Sequence, residues 1–354
     1  MQYPVKKALR GAVAALLALG QGACGGEDGG GSGGGGTPHI AFVLASSKLS
    51  FSIAMADGFR AGVSRVGGVS VDVTGPDIVD GQKQLHLLQE AAQTAQDGIS
   101  VFTLTPEILA RPLADSVKAG IPVIAVDNPP LSSSGVKLFV GNDNYELGRA
   151  LAREAIAQLP ANATGKVVLG TNAPGVEVLD RRVKGMRDEF KEKLPRVRIR
   201  GPFDTKQEVP ANLAAWQTLT TVNKDALAFL GTGDADGWNL AAIRRQQKAT
   251  WVAGAFDLDP RSLAAVKAGE LILVSPEHFL KGDVAGRLQA QHAKDGTALP
   301  EGWFYIPGLP VNSRNIDAVI ARQATVETTA EAVAGQAETI LGDASYLRKM
   351  SAVS

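Results

Sequence analysis

The chain has 354 residues, with 36 lysines and arginines against 36 aspartates and glutamates, and so carries no net charge. That balance lacks the basic footprint of a nucleic-acid binder, and the length gives room for about two domains with separate cores. Past the N-terminus no apolar run is long enough to span a bilayer, and with aromatics at only 5% each Phe or Trp near a strand end carries information.

The single cysteine, Cys24, has no partner for an internal disulfide or a zinc site. Its surroundings explain it. Lys6, Lys7 and Arg10 form a basic segment, Gly11 to Gly20 (GAVAALLALG) an apolar one too short to cross a membrane, and Gly22-Ala23 places small residues before the cysteine. The order resembles a bacterial lipoprotein signal, with Gln21 where an aliphatic residue is preferred; the alternative is an ordinary cleaved secretory signal. Residues 25–37 (GGEDGGGSGGGGT) cannot build a core and read as a flexible tether. Residues 1–24 are thus expected to be a signal peptide ending at a lipidated Cys24, followed by the tether.

From Pro38 short apolar strands alternate with helices. Ile40–Ala45 reads as a strand, followed by a helix with Met55, Phe59, Val63 and Val66 on one face. Val69–Val73 and Ile99–Leu104 are further strands, separated by a helix bearing Leu85, Leu88, Ala92 and Ala95. Pro106–Ala119 is a helix closed by Gly120. Pro122–Val126, apolar throughout, delivers Asp127 and Asn128 before Pro129-Pro130 stop it. Lys137–Val140 then leads through Gly141-Asn142-Asp143-Asn144 into a new helix, a plausible hinge between two lobes. Strand–helix alternation restarts there, with strands at Lys166–Leu169, Leu227–Leu230, Trp251–Ala255 and Leu271–Val274, and an edge strand at Arg196–Arg200. Residues 275–312 read as a return to the first lobe, ending in a short strand at Phe304–Ile306. Beyond Asn315 a polar, Ala-rich helix bearing Val326, Val333 and Ile340 is expected on the outside. Alternation of this kind means βαβ units and parallel sheets.

Strong catalytic signatures are missing: no P-loop, G-x-S-x-G, H-E-x-x-H or paired-cysteine motif occurs. Gly231-Thr232-Gly233-Asp234-Ala235-Asp236-Gly237 misses the dinucleotide spacing by one residue, and Glu277-His278 without further histidines nearby reads as a loop rather than a metal site. No enzyme activity, metal or cofactor is expected. What remains is a set of residues at strand ends: Asp127-Asn128, Asp257, Gly233-Asp234 and Phe203-Asp204, with Arg182 in the first turns of a helix and Phe51 beyond the first strand. Carboxylates, amides and a guanidinium that hydrogen-bond vicinal hydroxyls, with an aromatic face for a ring's C–H side, suit a polyhydroxylated ligand. Each aspartate alone could equally cap a helix.

At this point IAFVLASSKLSFS, IPVIAVDN, GNDNYELGR, LDRRVKGM and VAGAFDLDP together resemble the periplasmic ribose-binding protein family and its repressor relatives, over about residues 38–312. The resemblance implies an α/β type I periplasmic binding protein fold, two doubly wound parallel-sheet lobes joined by three crossovers, closing on a monosaccharide or similar small polar ligand. It places residues 38–141 plus 275–311 in the N-terminal lobe, 142–274 in the C-terminal lobe, and leaves 312–354 as a helical extension. It matches the family's strand-end aspartates to Asp127 and Asp257, its helix arginine to Arg182 and its stacking aromatics to Phe51 and Phe203. Where the family has Arg after the first aspartate, this chain has Asn128; its Asn before a second-lobe Asp is Gly233, and its late polar contact falls at Pro276-Glu277. Those lost donors argue against simple ribose recognition. The expectation is a monomeric, lipid-anchored solute-binding protein of the periplasm or cell surface that hands a sugar-like ligand to an ABC importer, touching the membrane only through its anchor. A sensor presenting its closed form to a membrane receptor kinase or chemoreceptor is the alternative. A repressor would need a helix-turn-helix where the signal and tether stand.

Overall fold

A computed structural model describes residues 36–353, so Cys24 and most of the glycine tether lie outside the described residues. In chain order the first part is β1 (His39–Val43), α1 (Ser50–Val66), β2 (Ser70–Thr74), α2 (Gly81–Thr94), β3 (Ile99–Val101), α3 (Pro106–Lys118), β4 (Val123–Val126) and β5 (Leu138–Gly141). There follow α4 (Asn144–Ile156), β6 (Gly165–Thr171), α5 (Glu177–Lys193), β7 (Val197–Asp204), α6 (Val209–Val222), β8 (Ala226–Leu230), α7 (Asp234–Gln247), β9 (Val252–Phe256), α8 (Pro260–Lys267) and β10 (Ile272–Ser275). The last part is α9 (His278–Asp295), β11 (Gly302–Tyr305), β12 (Leu309–Val311), α10 (Ile316–Arg322), α11 (Val326–Gly342) and β13 (Leu347–Arg348). No described helix is long and apolar enough to cross a membrane.

Two α/β lobes result. The first sheet runs β13-β11-β5-β4-β3-β1-β2 and the second β12-β10-β9-β8-β6-β7, parallel except for the antiparallel edge strands β12 and β13. Central strands such as β4 and β9 are buried along their whole length, because helices cover both faces. The charged alternation of Arg196–Arg200 marks β7, which is indeed an edge.

The chain passes between the lobes four times. After β5 it enters the second lobe, returns between β10 and α9, leaves again between β11 and β12, and returns a fourth time between α10 and α11. The side chain of Asn142 ties three of these passages together, its Nδ2 donating to the carbonyls of Pro276 at 3.1 Å and Ile306 at 2.8 Å.

Two details differ from the sequence reading. Leu309–Val311 does not stay with the first lobe; it pairs antiparallel with β10 in the second sheet. The C-terminal helix lies on the outside as expected, yet it joins the first lobe's core rather than standing as a separate extension. Val333, Ala337 and Ile340 are fully buried in the first lobe's core, while Val326 at the helix start is largely exposed. A helix of 17 residues with its large apolar side chains on one stripe gains most by burying that stripe, and the low apolar density hid this in sequence.

Two helix pairs set the geometry of the cleft. A side-chain carbon on Gly58 or Gly282 would run into the carbonyl oxygens of Phe279 and Met55, so α1 and α9 touch backbone to backbone. Gly148 and Gly185 play the same part between α4 and α5, with Gly148 against the Arg182 carbonyl. The first pair places Phe51 and His278, and the second places Arg182.

Candidate functional site

Asp127 and Asp257 occupy the same local structure in the two lobes. Each follows a central strand with positive φ, 69° and 73°, a region that short Asp and Asn side chains tolerate better than most. Each N–H donates across to the next strand, Asp127 to the Val140 carbonyl at 2.9 Å and Asp257 to that of Val274 at 3.2 Å. Both side chains are therefore thrown off their strand ends into the space between the lobes, where α9 meets them. His278 Nε2 lies 2.9 Å from Asp257 Oδ1, and Nδ1 3.6 Å from Asp127 Oδ1. One turn on, the wholly buried Lys281 ammonium donates to Asp127 and lies 3.4 Å from His278 Nδ1.

The charges follow from this packing. Burial alone would raise the Asp127 pKa, but the charges of Lys281 and His278 and the lysine's hydrogen bond outweigh it and hold the carboxyl at about 2. Asp257 is lowered likewise, burial being outweighed by the hydrogen bond and charge of His278. Burial first, and then the Lys281 charge, lower His278, so its ring is neutral at pH 7. An ammonium only donates; Nδ1 facing Lys281 therefore accepts, and the ring proton sits on Nε2, donated to Asp257.

Around this core lies a cavity of about 170 Å³ lined by Phe51, Asp127, Asn172, Arg182, Asp234, Asp257 and His278 together with apolar residues such as Leu104 and Leu179. Arg182 is buried and fixed, Nε donating to Asn144 Oδ1 at 2.9 Å and Nη1 to the Thr232 carbonyl at 2.8 Å, its guanidinium over the Phe256 ring. Phe51 packs on the His278 ring with centroids 5.3 Å apart. Asp234, at the start of α7, accepts from Ser50 Oγ at 3.0 Å, a bond from one lobe to the other. Burial, then the nearby Asp257 carboxylate, push its pKa up to about 6.

Phe51, Asp127, Arg182, Asp234 and Asp257 thus come together as the sequence groups them, but four other expected residues do not line the cavity. Asn128 turns back into the first lobe, Nδ2 donating to the Thr103 carbonyl at 2.6 Å. Phe203 and Asp204 end the edge strand β7; the phenylalanine is 37% exposed and the aspartate pairs with Lys206. Glu277 is clamped by Arg322, whose two Nη atoms donate to its two carboxylate oxygens at 2.9 Å each. That arginine lies beyond the segment resembling the family, so nothing in the resemblance pointed to it.

Three residues were missed: His278, Lys281 and Asn172. The i, i+3 spacing of His278 and Lys281 is the available signal, since it puts both on one helix face. Asn172 answers the missing side chain at Gly233. A carbon added to Gly233 would collide with the Asn172 amide, so the space is filled from the neighbouring β6 loop. Among the described residues no group of His, Cys, Asp and Glu forms a metal site.

Residues 40–297 match the family model described as "Periplasmic binding protein domain". Among curated proteins no relative matches. Solved structures share the fold at low identity. A glucose-galactose binding protein from Geobacillus stearothermophilus superposes with TM-score 0.71 at 21% identity, over 79% of this chain and 99% of that one. A periplasmic ribose ABC transporter protein from Conexibacter woesei gives 0.71 at 23%, over 82% and 97%. An ABC transporter solute-binding protein from Agrobacterium vitis, bound with alpha-D-tagatopyranose, gives 0.72 at 21%, over 80% and 98%. Those structures are used almost whole, while about a fifth of this chain has no counterpart in them.

Proposed function

Because the chain belongs to the periplasmic binding protein family, we propose that it captures a monosaccharide-sized polyhydroxylated ligand between its two lobes and presents the closed form to an ABC importer. The observation that carries this reading is the facing pair of strand-end carboxylates, Asp127 and Asp257, one from each lobe, with Arg182 and Phe51 around the same 170 Å³ cavity. Both carboxylates keep acceptor capacity beyond the bonds they make to Lys281 and His278, which is what ligand hydroxyls require. Structural relatives that carry sugar names in their descriptions support the choice of ligand class. Thermal unfolding against a panel of pentoses, hexoses and polyols tests it. A true ligand at 100-fold its dissociation constant adds about 2.7 kcal/mol, and a flat panel would sink the sugar reading.

Asp257→Asn is expected to weaken the ligand found in that panel by roughly ten- to a hundred-fold, the worth of one charge-assisted hydrogen bond at about 1.5–3 kcal/mol. Titration calorimetry decides; an unchanged affinity would return Asp257 to a purely structural role.

Closure also has a pH signature. Asp234 bonds to Ser50 across the lobes and faces Asp257, Asp236 and Arg261. Its pKa of about 6 in the closed form lies above the usual 3.8. The stabilisation of a raised acid is fully present below the lower value and lost as pH rises through the upper one. Affinity is therefore expected to fall as pH rises from about 4 to about 6 and to level off above that, and Asp234→Asn to flatten that profile. A wild-type profile as flat as the variant's would remove the argument.

We also infer an extracytoplasmic site of action, with anchoring through a lipidated Cys24. The support is the sequence order of basic, apolar and small residues before that cysteine. Cys24→Ser should move the protein from the membrane fraction to the soluble one; an unmodified N-terminus elsewhere, found by mass spectrometry, would contradict it.

A further inference from the structure

The space between the lobes does not end at the 170 Å³ cavity. Past the Phe51 and His278 rings it widens into a second compartment of about 580 Å³. Phe51, Asp257 and His278 line both spaces, so the two meet at that ring pair. One wall is the start of α1 and the facing wall is α8. The floor is the fourth passage of the chain, from Ile320 through Arg322 and Ala324 to Val333. This floor lies beyond residues 40–297, the part matched by the family.

The chemistry of the compartment differs from that of the cavity. Its lining is largely apolar, with Leu258 and Ile320 half-buried at its surface over the buried Leu263. Its polar side chains are already engaged. Glu277 and Arg322 hold each other by two hydrogen bonds of 2.9 Å. Thr329 Oγ1 donates to the Arg322 carbonyl at 2.9 Å, and Ser275 Oγ accepts the Glu277 N–H at 3.0 Å. Lys267 pairs with Asp317 at 3.0 Å and Asp259 with Arg261 at 2.8 Å. Away from the Asp257 carboxylate, which the cavity shares, a second sugar ring would bring several hydroxyls to a place that offers them little beyond Gln323, and burying them unpaired is costly. An apolar group meets no such penalty. The cavity alone is also smaller than the roughly 300–1,000 Å³ usual for ligand pockets, whereas the two spaces together fall inside that range.

We propose that the second compartment binds the apolar substituent of a glycoside whose sugar occupies the cavity, so that the ligand class is an aryl or alkyl glycoside rather than a free monosaccharide. This rests on the sugar reading above for the cavity half only. Phe51 then serves both halves, one part of its ring toward the sugar and another toward the substituent, and the C-terminal extension exists to supply the compartment's floor.

The test uses methyl and phenyl glycosides of glucose, galactose, ribose and arabinose in titration calorimetry, with 4-nitrophenol as a sugar-free probe. The variants are Ala264→Trp and Ala324→Trp, two exposed positions on the compartment that do not line the cavity. For at least one sugar the phenyl glycoside is expected to bind tenfold or more tighter than the methyl glycoside. Either variant should cancel that gain and leave the methyl glycoside unchanged. Equal affinity of the two glycosides, or variants that weaken both alike, overturns the proposal; so does a disaccharide such as lactose outbinding every phenyl glycoside. Should no glycoside bind, 4-nitrophenol separates the two failures. Binding that Ala324→Trp removes upholds an apolar compartment and sinks only the sugar reading, and no binding sinks the compartment as well.

Discussion

Gly282→Val is expected to cost more than about 4 kcal/mol, a large share of the roughly 5–15 kcal/mol by which folded proteins are stable. The new side chain would be aimed at the Met55 carbonyl and the Phe59 amide of the facing helix. Neither is a flexible side-chain tip, so relief requires α1 and α9 to separate, and with them the packing of Phe59, Leu280 and Val284, all fully buried. Gly335→Ala is the control. It lies on the exposed side of α11 with nothing within 4 Å of an added carbon, and should stabilise by roughly 0.5–1 kcal/mol through helix propensity alone. Urea unfolding of both variants decides the matter. A Gly282→Val protein within about 1 kcal/mol of wild type would mean that the helices are not in backbone contact.

Lys281→Met should cost about 3–5 kcal/mol in the ligand-free protein, because it leaves the buried Asp127 carboxylate without its counter-charge. Asp127→Asn combined with Lys281→Met should recover much of that loss, since no charge is then left uncompensated; the double-mutant cycle measures the coupling. The pH dependence has a fixed sign. Asp127 is held at about 2, below its usual 3.8, so its contribution is present above the higher value and lost as pH falls toward the lower. Acid unfolding of Lys281→Met should lose that component between those limits. A single variant as stable as wild type would show that solvent reaches Asp127 after all. The pair also changes what an Asp127 substitution reports, since removing this carboxylate strands a buried ammonium and affects stability along with affinity.

Strand positions were legible because buried parallel strands are continuous apolar runs, and Pro122–Val126 and Trp251–Ala255 each ended within one residue of β4 and β9. Asp127 and Asp257 were legible for the same reason: a polar residue that closes an apolar run stands out. Phe203 and Asp204 stood out by the same rule, yet they close β7, the edge strand that the charged alternation of Arg196–Arg200 already marks, and there both side chains stay exposed. Glu277 was read apart from Arg322 because the partner is brought near only by the fourth passage of the chain. Lys281 escaped notice since a lysine in an amphipathic helix is usually solvated; here the carboxylate that makes its burial tolerable arrives from a strand far away in sequence.

The order in which the lobes can form follows from the four passages. Apart from β12 and α10, the second lobe is one unbroken stretch of chain, α4 through β10, and its sheet can close as soon as that stretch exists. The first lobe begins earlier but is finished last: Gly58 and Gly62 wait for α9, β5 waits for β11, and the edge of the sheet waits for Leu347 and Arg348. During synthesis the half encoded first therefore spends the longest time incomplete, with the apolar face of α1 uncovered until the ribosome has passed the whole of its neighbour. The lobe that folds first is the one encoded second.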